Sequence, residues 1–294
     1  MRVLVTGAAG FLGKHICLAL TATGHEVIPL DLPQYLTDFR GGLRFSTRIQ
    51  DKLQPPKGLQ LDAVIHLAAM ASPALCDKDP ATAFAVNVQG SHNVLKLAVA
   101  AGAKRFVMAS SAHLYGVSPR YLPSDERHPL WLQDTYTTTK ILGEQLCRLF
   151  FDNHGLSYAA IRLFNGYGPG QQPGYFISDM IQKAQTGRIE LRGHQITKDW
   201  IYVDDVVRAY LLAMESKFVG CINVGTGVET NLGVIAARVA SAFGAELVIS
   251  EQPQSGPTRM CADWSRAQRV LGWRPEIALE EGLERTIEAW KNGH

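Results

Sequence analysis

The chain has 294 residues, of which 46% are hydrophobic and 19% charged, an ordinary globular composition with room for one large domain or two small ones. A net charge of +2 is too small to point to nucleic acid or an anionic membrane, and no apolar run reaches about 18 residues, so no membrane-spanning helix is expected. Five scattered cysteines (Cys17, Cys76, Cys147, Cys221, Cys261) contain no Cys-x-x-Cys and read as buried hydrophobes in a reducing compartment, excluding a metal site or a disulfide framework.

Arg2 to Val5 reads as a short buried strand, entered at once with no room for a signal peptide, so a cytoplasmic location is expected. Thr6-Gly7-Ala8-Ala9-Gly10-Phe11-Leu12-Gly13 follows without a linker, and Lys14 to Thr23 reads as a helix. Strand, glycine turn and helix N-terminus make an anion site of free backbone N–H groups and helix dipole. Gly7 permits the tight turn, Gly10 lets a pyrophosphate approach, and Gly13 lets helix and strand pack closely. Glu26 to Leu30 forms the next strand, with Asp31 at its end, 18 residues beyond Gly13. That is where a dinucleotide fold keeps the carboxylate that binds the adenosine ribose.

Tyr35 to Pro56 is polar and irregular, with a short strand expected near Leu43 to Phe45. Ala63 to Leu67 is a strand, followed by Ala68-Ala69, small enough for backbone to approach a ligand. Asp79 to Ala101 reads as one long helix, with Asp79-Pro80 as start and Gly102 as stop. Phe106 to Ala109 is a strand ending in Ser110-Ser111, Thr135 to Asn153 a long helix, and Tyr158 to Arg162 a strand running into the turn-rich Asn165 to Gly170. Strands alternating with helices predict an α/β fold, a Rossmann-like, doubly wound parallel sheet.

Beyond Gly170 the alternation weakens. Helices are expected at Phe176 to Gln185, Val206 to Met214, Leu232 to Phe243, Trp264 to Leu271 and Leu279 to Lys291. Strands are expected at Trp200 to Val203, Ile222 to Gly225 and Glu246 to Ile249. The pattern divides the chain into a dinucleotide-binding part, 1–165, and a smaller mixed α/β substrate lobe, 166–294, with 199–225 packing back on the first part. Gly7, Asp31, Ala68, Ser111 and Asn165 all fall at carboxyl ends of strands, where open α/β sheets bind ligands.

Tyr136 and Lys140 lie four apart on one helix face, the only such pair among nine tyrosines. A phenol with pKa about 10 is a poor base at neutral pH. A neighbouring ammonium and a positively charged nicotinamide both favour phenolate, and a serine hydroxyl such as Ser111 can hold the oxygen that exchanges the proton. Together they suit hydride exchange at a carbinol.

At these residues the chain resembles the extended short-chain dehydrogenase/reductases, in particular the NAD-dependent epimerase/dehydratase branch that acts on nucleotide sugars. The resemblance spans nearly the whole chain: TGAAGFLG at 6–13, Asp31, HLAA at 66–69, NVQG at 87–90, SSAHLYG at 110–116, YTTTK at 136–140, RLFNGYGPG at 162–170, DWIYVDDV at 199–206, NVGTG at 223–227 and LGWRP at 271–275. It implies Tyr136 as acid/base, Lys140 as its tuner and a ligand of the nicotinamide ribose, and Ser111 as the hydrogen-bonding hydroxyl. It also implies an NAD site that includes Gly7, Gly10, Phe11, Leu12, Gly13, Asp31, Leu67, Ala68, Ala69, Asn87 and Phe164, with no metal. Asn165, Phe176, Lys198 and Arg259 match positions that hold the nucleotide-diphosphate sugar, Lys198 and Arg259 at its diphosphate. A homodimer through the helices 79–101 and 135–153 is implied as well.

The chain departs from the family at several places. Ala112-His113 replaces the Asp-Glu pair of sugar 4,6-dehydratases, so that chemistry lacks its acid and base. Lys198 replaces the usual Arg and loses its bidentate fork. Thr137 replaces the Gly or Ala after the tyrosine, and the acid often found under the adenine is missing near Arg48. His113 reads either as a packed or solvent-facing histidine or as an acid/base particular to this chain, and Arg259 either as a phosphate ligand or as a surface ion pair. Trp200, Trp264, Trp273 and Trp290 read as core. Epimerisation at carbon 4 through a transient 4-keto sugar is the favoured activity. A 4-keto-sugar nucleotide reductase and a non-catalytic NAD-binding regulatory protein are the alternatives. Asp31, with no cation at Leu32 or Pro33, predicts NAD over NADP.

Overall fold

The computed structural model describes residues 1–38, 44–251 and 258–293. In chain order the first half contains β1 (Arg2–Thr6), α1 (Phe11–Ala22), β2 (Glu26–Asp31), β3 (Phe45–Ser46), β4 (Ala63–His66), α2 (Pro73–Lys78), α3 (Pro80–Phe84), α4 (Ser91–Ala100), β5 (Arg105–Ser111), α5 (Thr135–His154) and β6 (Ser157–Leu163). The second half contains β7 (Asn165–Tyr167), α6 (Phe176–Gln185), β8 (Arg188–Arg192), β9 (Thr197–Tyr202), α7 (Val203–Glu215), β10 (Gly220–Val224), β11 (Glu229–Asn231), α8 (Leu232–Phe243), β12 (Glu246–Ser250), α9 (Ser265–Leu271) and α10 (Leu279–Lys291).

Seven parallel strands form the main sheet in the order β10-β6-β5-β4-β1-β2-β3. The order turns back between β1 and β4, the kind of switch point at whose carboxyl ends open α/β sheets bind ligands. Strand alternation puts Val3 and Val5 on one face with Ile16, Leu20 and Val206, and Leu4 on the other with Val94, Leu97 and Phe150. Both faces are covered, as an all-parallel sheet requires.

Smaller sheets, β11-β9-β7 and β12-β8, hold the rest. Strand β10 rejoins the main sheet beside β6, whereas β9 pairs with β7 and β11, and α7 packs against α1 and β5. The boundary between the two parts is therefore crossed by the chain more than once. Asp199, fully buried, fastens the second part. Its carboxylate accepts from the Thr226 N–H and hydroxyl and from the N–H groups of Gly227 and Ala262.

Several local expectations differ from the structure, and strands β7, β8 and β11 and helix α2 have no counterpart among them. Helix α1 begins at Phe11 rather than Lys14, so the glycine turn feeds it directly. The helix expected over 79–101 is interrupted: α3 widens into a π-helical turn at Ala85–Gly90 before α4. That turn carries Asn87 inward, 3% exposed, and its amide donates to Thr139 Oγ1 and Met70 O. Strand β9 ends at Tyr202 and α7 starts at Val203, where Asp204 and Asp205 suit the positive end of the helix dipole. The short strand expected near 43–45 is β3, Phe45–Ser46, and residues 39–43 lie outside the described residues.

Candidate active site

The glycine turn is shaped by close contacts. Gly7 has φ +68°, and a Cβ there would lie 2.8 Å from Ala68 N; one at Gly13 would lie 2.0 Å from Gly7 O. Neither position accepts a side chain, so backbone alone faces the crevice. Asp31 is bound across the turn: Oδ2 accepts from Ala9 N at 2.9 Å and Oδ1 from Leu32 N at 2.8 Å. Its remaining lone pairs stay available to ribose hydroxyls. Gly10 is the residue before α1 and no side chain caps that helix, leaving its first N–H groups for a pyrophosphate. Leu67, Ala68 and Ala69 follow β4, and Phe11 and Leu12 are partly buried in the first turn of α1. Phe164, 6% exposed, lies beyond β6 against Tyr115. Backbone cradle, carboxylate and helix N-terminus fit a dinucleotide.

Ser111 ends β5, and α5 packs across that strand with Tyr136 in its first turn and Lys140 one turn later. All three are buried, at 6%, 7% and 5% exposure. Lys140 Nζ donates to Ala109 O at 2.9 Å and sits 5.7 Å from the Tyr136 ring centroid. Burial pushes the ammonium down to about 8. It also pushes the phenol up to about 12, with the Ser111 hydroxyl pulling the other way. Desolvation is the largest influence on the phenol, and the ammonium donates to a carbonyl; the expectation that ammonium and nicotinamide together favour phenolate concerns the site with cofactor bound.

His113 is packed edge-on against Tyr136, with ring centroids 6.1 Å apart, and its backbone N–H donates to Ser111 Oγ. Burial and the charge of Lys198 keep its imidazole neutral, pushed down to about 4.

The four residues matched to substrate positions do not all meet. Asn165 Nδ2 donates to Asp199 O and lies 4.0 Å from Met260 Sδ, while Lys198 Nζ lies 3.5 Å from the same sulfur. Phe176 opens α6 and packs against Trp200 at 5.5 Å. Arg259 adjoins this group in sequence, but its guanidinium is held in a bidentate pair by Glu229, which also accepts from Thr197 Oγ1. The loop Pro253 to Pro257, from which Arg259 follows, lies outside the described residues.

Sequence reasoning missed a buried polar network behind the site. Glu144 accepts from Ser110 Oγ and pairs with Arg162 at 2.8 Å, both about 5% exposed or less. Arg162 reaches Tyr115, whose hydroxyl donates to Asn223 Oδ1. The signal was present in part, because Tyr136, Lys140 and Glu144 recur every four residues along one helix face. Among the tryptophans, Trp200 and Trp273 are buried and Trp264 and Trp290 partly so. Among the described residues, no three His, Cys, Asp or Glu are grouped to hold a metal ion, and no helix is long and apolar enough to cross a membrane.

A cradle suited to a dinucleotide with a buried Ser–Tyr–Lys set has the groups that can exchange a hydride at a carbinol carbon while a proton leaves its oxygen, the class of a dinucleotide-dependent enzyme. The comparisons with known proteins agree. Residues 3–225 match the NAD dependent epimerase/dehydratase family. A UDP-glucose 4-epimerase from Mycolicibacterium smegmatis is 33% identical over 99% of both chains. UDP-glucuronic acid decarboxylase 6 from Arabidopsis thaliana is 32% identical, over 96% of this chain and 87% of that protein. The crystal structure of Thermus thermophilus UDP-glucose 4-epimerase in complex with NAD superposes with a TM-score of 0.90 at 29% identity, covering all of both chains. The chain belongs to the NAD-dependent epimerase/dehydratase family, and its cofactor is NAD.

Proposed function

We propose that the protein is a nucleotide-sugar epimerase that inverts carbon 4 of a hexose carried on a nucleoside diphosphate. The observation that carries this reading is the burial of Ser111, Tyr136 and Lys140 together at the mouth of the dinucleotide cradle. Similarity to UDP-glucose 4-epimerases along the whole chain supports the substrate class. Gly7, Gly10, Gly13, Asp31 and the backbone after β4 would hold NAD, which when bound supplies reversible hydride exchange and a positive charge in addition to that of Lys140.

The chain's own residues handle the proton. Tyr136 takes it from the 4-hydroxyl and returns it to the same oxygen after the sugar has presented its other face. The Ser111 hydroxyl holds that oxygen, and the Lys140 ammonium keeps the pocket cationic enough to bear a phenolate. Ala112 and His113 supply no acid–base carboxyl pair for eliminating a neighbouring hydroxyl. We assign 1–165 mainly to the cofactor and 166–294 mainly to the substrate, with 199–225 shared, and place the enzyme in the cytoplasm as a homodimer.

Tyr136→Phe tests the reading: it is expected to abolish interconversion of UDP-glucose and UDP-galactose, followed by chromatography, while the melting temperature and NAD affinity stay near wild type. Interconversion by this variant at the wild-type rate would refute the assignment. Lys198 and Arg259 are assigned to the diphosphate, Arg259 exchanging Glu229 for phosphate oxygens. Arg259→Ala or Lys198→Ala is expected to raise the KM for UDP-glucose about ten- to a hundredfold, the loss of one charge-assisted contact of about 1.5–3 kcal/mol, without moving NAD affinity.

A further inference from the structure

Behind the cofactor crevice lies a run of buried side chains that the proton chemistry does not use. Thr6, His66, Ser91, Asn87 and Thr139 are each 0–3% exposed and come from β1, β4, α4, the π-helical turn and α5. Ala68 N–H donates to Thr6 Oγ1 at 3.2 Å, Thr6 Oγ1 lies 2.7 Å from His66 Nδ1, and His66 Nε2 lies 2.9 Å from Ser91 Oγ. Ser91 Oγ donates to Asn87 O at 2.6 Å. The Asn87 amide then donates to Thr139 Oγ1 at 3.0 Å, and Thr139 donates to the backbone carbonyl of Tyr136 at 2.8 Å. One end is the residue before Gly7, and the other is the catalytic tyrosine's own peptide.

Proton counting sets every direction in this run. Ser91 has one hydroxyl hydrogen and spends it on a carbonyl, so it accepts from His66, and Nε2 carries the hydrogen. A neutral ring then presents the Nδ1 lone pair to the Thr6 hydroxyl, whose own lone pairs take the Ala68 N–H. A second ring proton at Nδ1 would leave the Thr6 hydrogen without an acceptor. Burial and the Lys140 ammonium both oppose that proton, pushing His66 down to about 3. Asn87 is satisfied too, since its Oδ1 accepts from Met70 N at 2.7 Å.

We propose that His66, as the neutral Nε2–H tautomer, is a positioning residue that sets the cofactor-facing backbone at Gly7 and Ala68 relative to Tyr136 through this directed chain. It touches neither substrate nor reacting atoms. It acts by fixing two strand ends and the catalytic helix with hydrogen bonds that have a single permitted direction, where apolar packing alone tolerates small shifts. A shift of the order of 1 Å between the phenol and the cofactor crevice costs about a hundredfold in rate, so the chain acts on turnover more than on substrate binding. The inference rests on the assignment of Tyr136 as the proton acceptor.

The test compares His66→Met, which removes the chain's centre, His66→Gln, whose amide restores an acceptor oxygen and an N–H donor while adding one further N–H, and Ser91→Ala, which breaks the chain one link away. Imidazole 15N spectra of the wild type are expected to show the Nε2–H tautomer unchanged over about pH 5 to 9. His66→Met and Ser91→Ala are expected to weaken NAD binding severalfold and to lower kcat with UDP-glucose about ten- to a hundredfold at nearly constant KM, with His66→Gln recovering most of both. A titrating ring, an Nδ1–H tautomer, or wild-type kcat and NAD affinity in Ser91→Ala would overturn the proposal. So would equal losses in Gln and Met variants that track only their melting temperatures. Ser91→Ala decides the matter even where His66→Met does not fold. If the wild type does not turn over UDP-glucose, the substrate assignment fails, while the tautomer and the NAD affinities still decide this one.

Discussion

Lys140 shows how strongly burial acts on a single residue. Its ammonium is held near 8, below the ordinary 10.5, because it is removed from water, and its hydrogen bond goes to a neutral carbonyl. Below about pH 8 both the folded and the unfolded chain carry this proton, and the folded state bears the full cost of the buried charge. Between about 8 and 10.5 the unfolded chain binds more protons than the folded one, so this residue's contribution to stability rises with pH. Lys140→Met removes that titration. From pH 7 to about 10.5, the wild type is expected to gain on the order of 3 kcal/mol relative to the variant in urea unfolding without NAD. A difference that stays constant with pH would mean that the ammonium is not desolvated. The spacing of Tyr136 and Lys140 was legible in the sequence. The burial that opposes phenolate was not, because it depends on how deeply α5 packs onto β5.

Among the elements, α5 carries Tyr136 and Lys140, and its first turn is tied down by its own sequence. Asp134 Oδ1 accepts from Thr137 N at 2.6 Å, and the Thr137 hydroxyl accepts from the Asp134 backbone N–H, a capping box. This gives Thr137 a local role: it is fully buried and closes the helix start one residue after Tyr136. Asp134→Ala is expected to cost about 1 kcal/mol, read as a lower unfolding midpoint. It is also expected to lower kcat more than KM, because the fraying turn holds the phenol. Helix α5 begins where the sequence predicts. The long helix predicted over 79–101 is interrupted instead by a π-helical turn, since Asn87 is drawn inward by Met70 and Thr139, partners 17 and 52 residues away. Helical periodicity carries no sign of such a partner.

For the whole molecule, the outward sides of α3 and α5 leave Phe84, Leu142 and Leu149 exposed at 41%, 37% and 50%. Leu142 and Leu149 lie seven apart on one helix face, the spacing of a helix–helix seam. Light scattering at micromolar concentration is expected to give twice the 32.2 kDa chain mass, and Leu142→Glu with Leu149→Glu to give the single chain. A single-chain mass for the wild type would remove the dimer. The opposite side of α5 faces inward to the Glu144–Arg162 pair, which joins it to β6 and, through Tyr115 and Asn223, to β10. The helix that bears Tyr136 and Lys140 is thus anchored to strands from both halves of the chain.

By itself the sequence determined what is written locally. Alternating strands and helices predicted the parallel sheet, the glycine turn and Asp31 predicted the dinucleotide, and the Tyr–Lys spacing after Ser111 predicted the proton chemistry. These depend on backbone conformation and on neighbours within one turn of helix, so a short window of sequence contains their cause. Only the tertiary structure decided which polar groups meet. His66 between Thr6 and Ser91, Glu144 on Arg162, Asp199 under three backbone N–H groups and Arg259 on Glu229 join residues 18 to 63 positions apart. A buried polar group must find a partner wherever the packed chain brings one, and that location is a property of the assembled sheet and its covering helices, not of any segment.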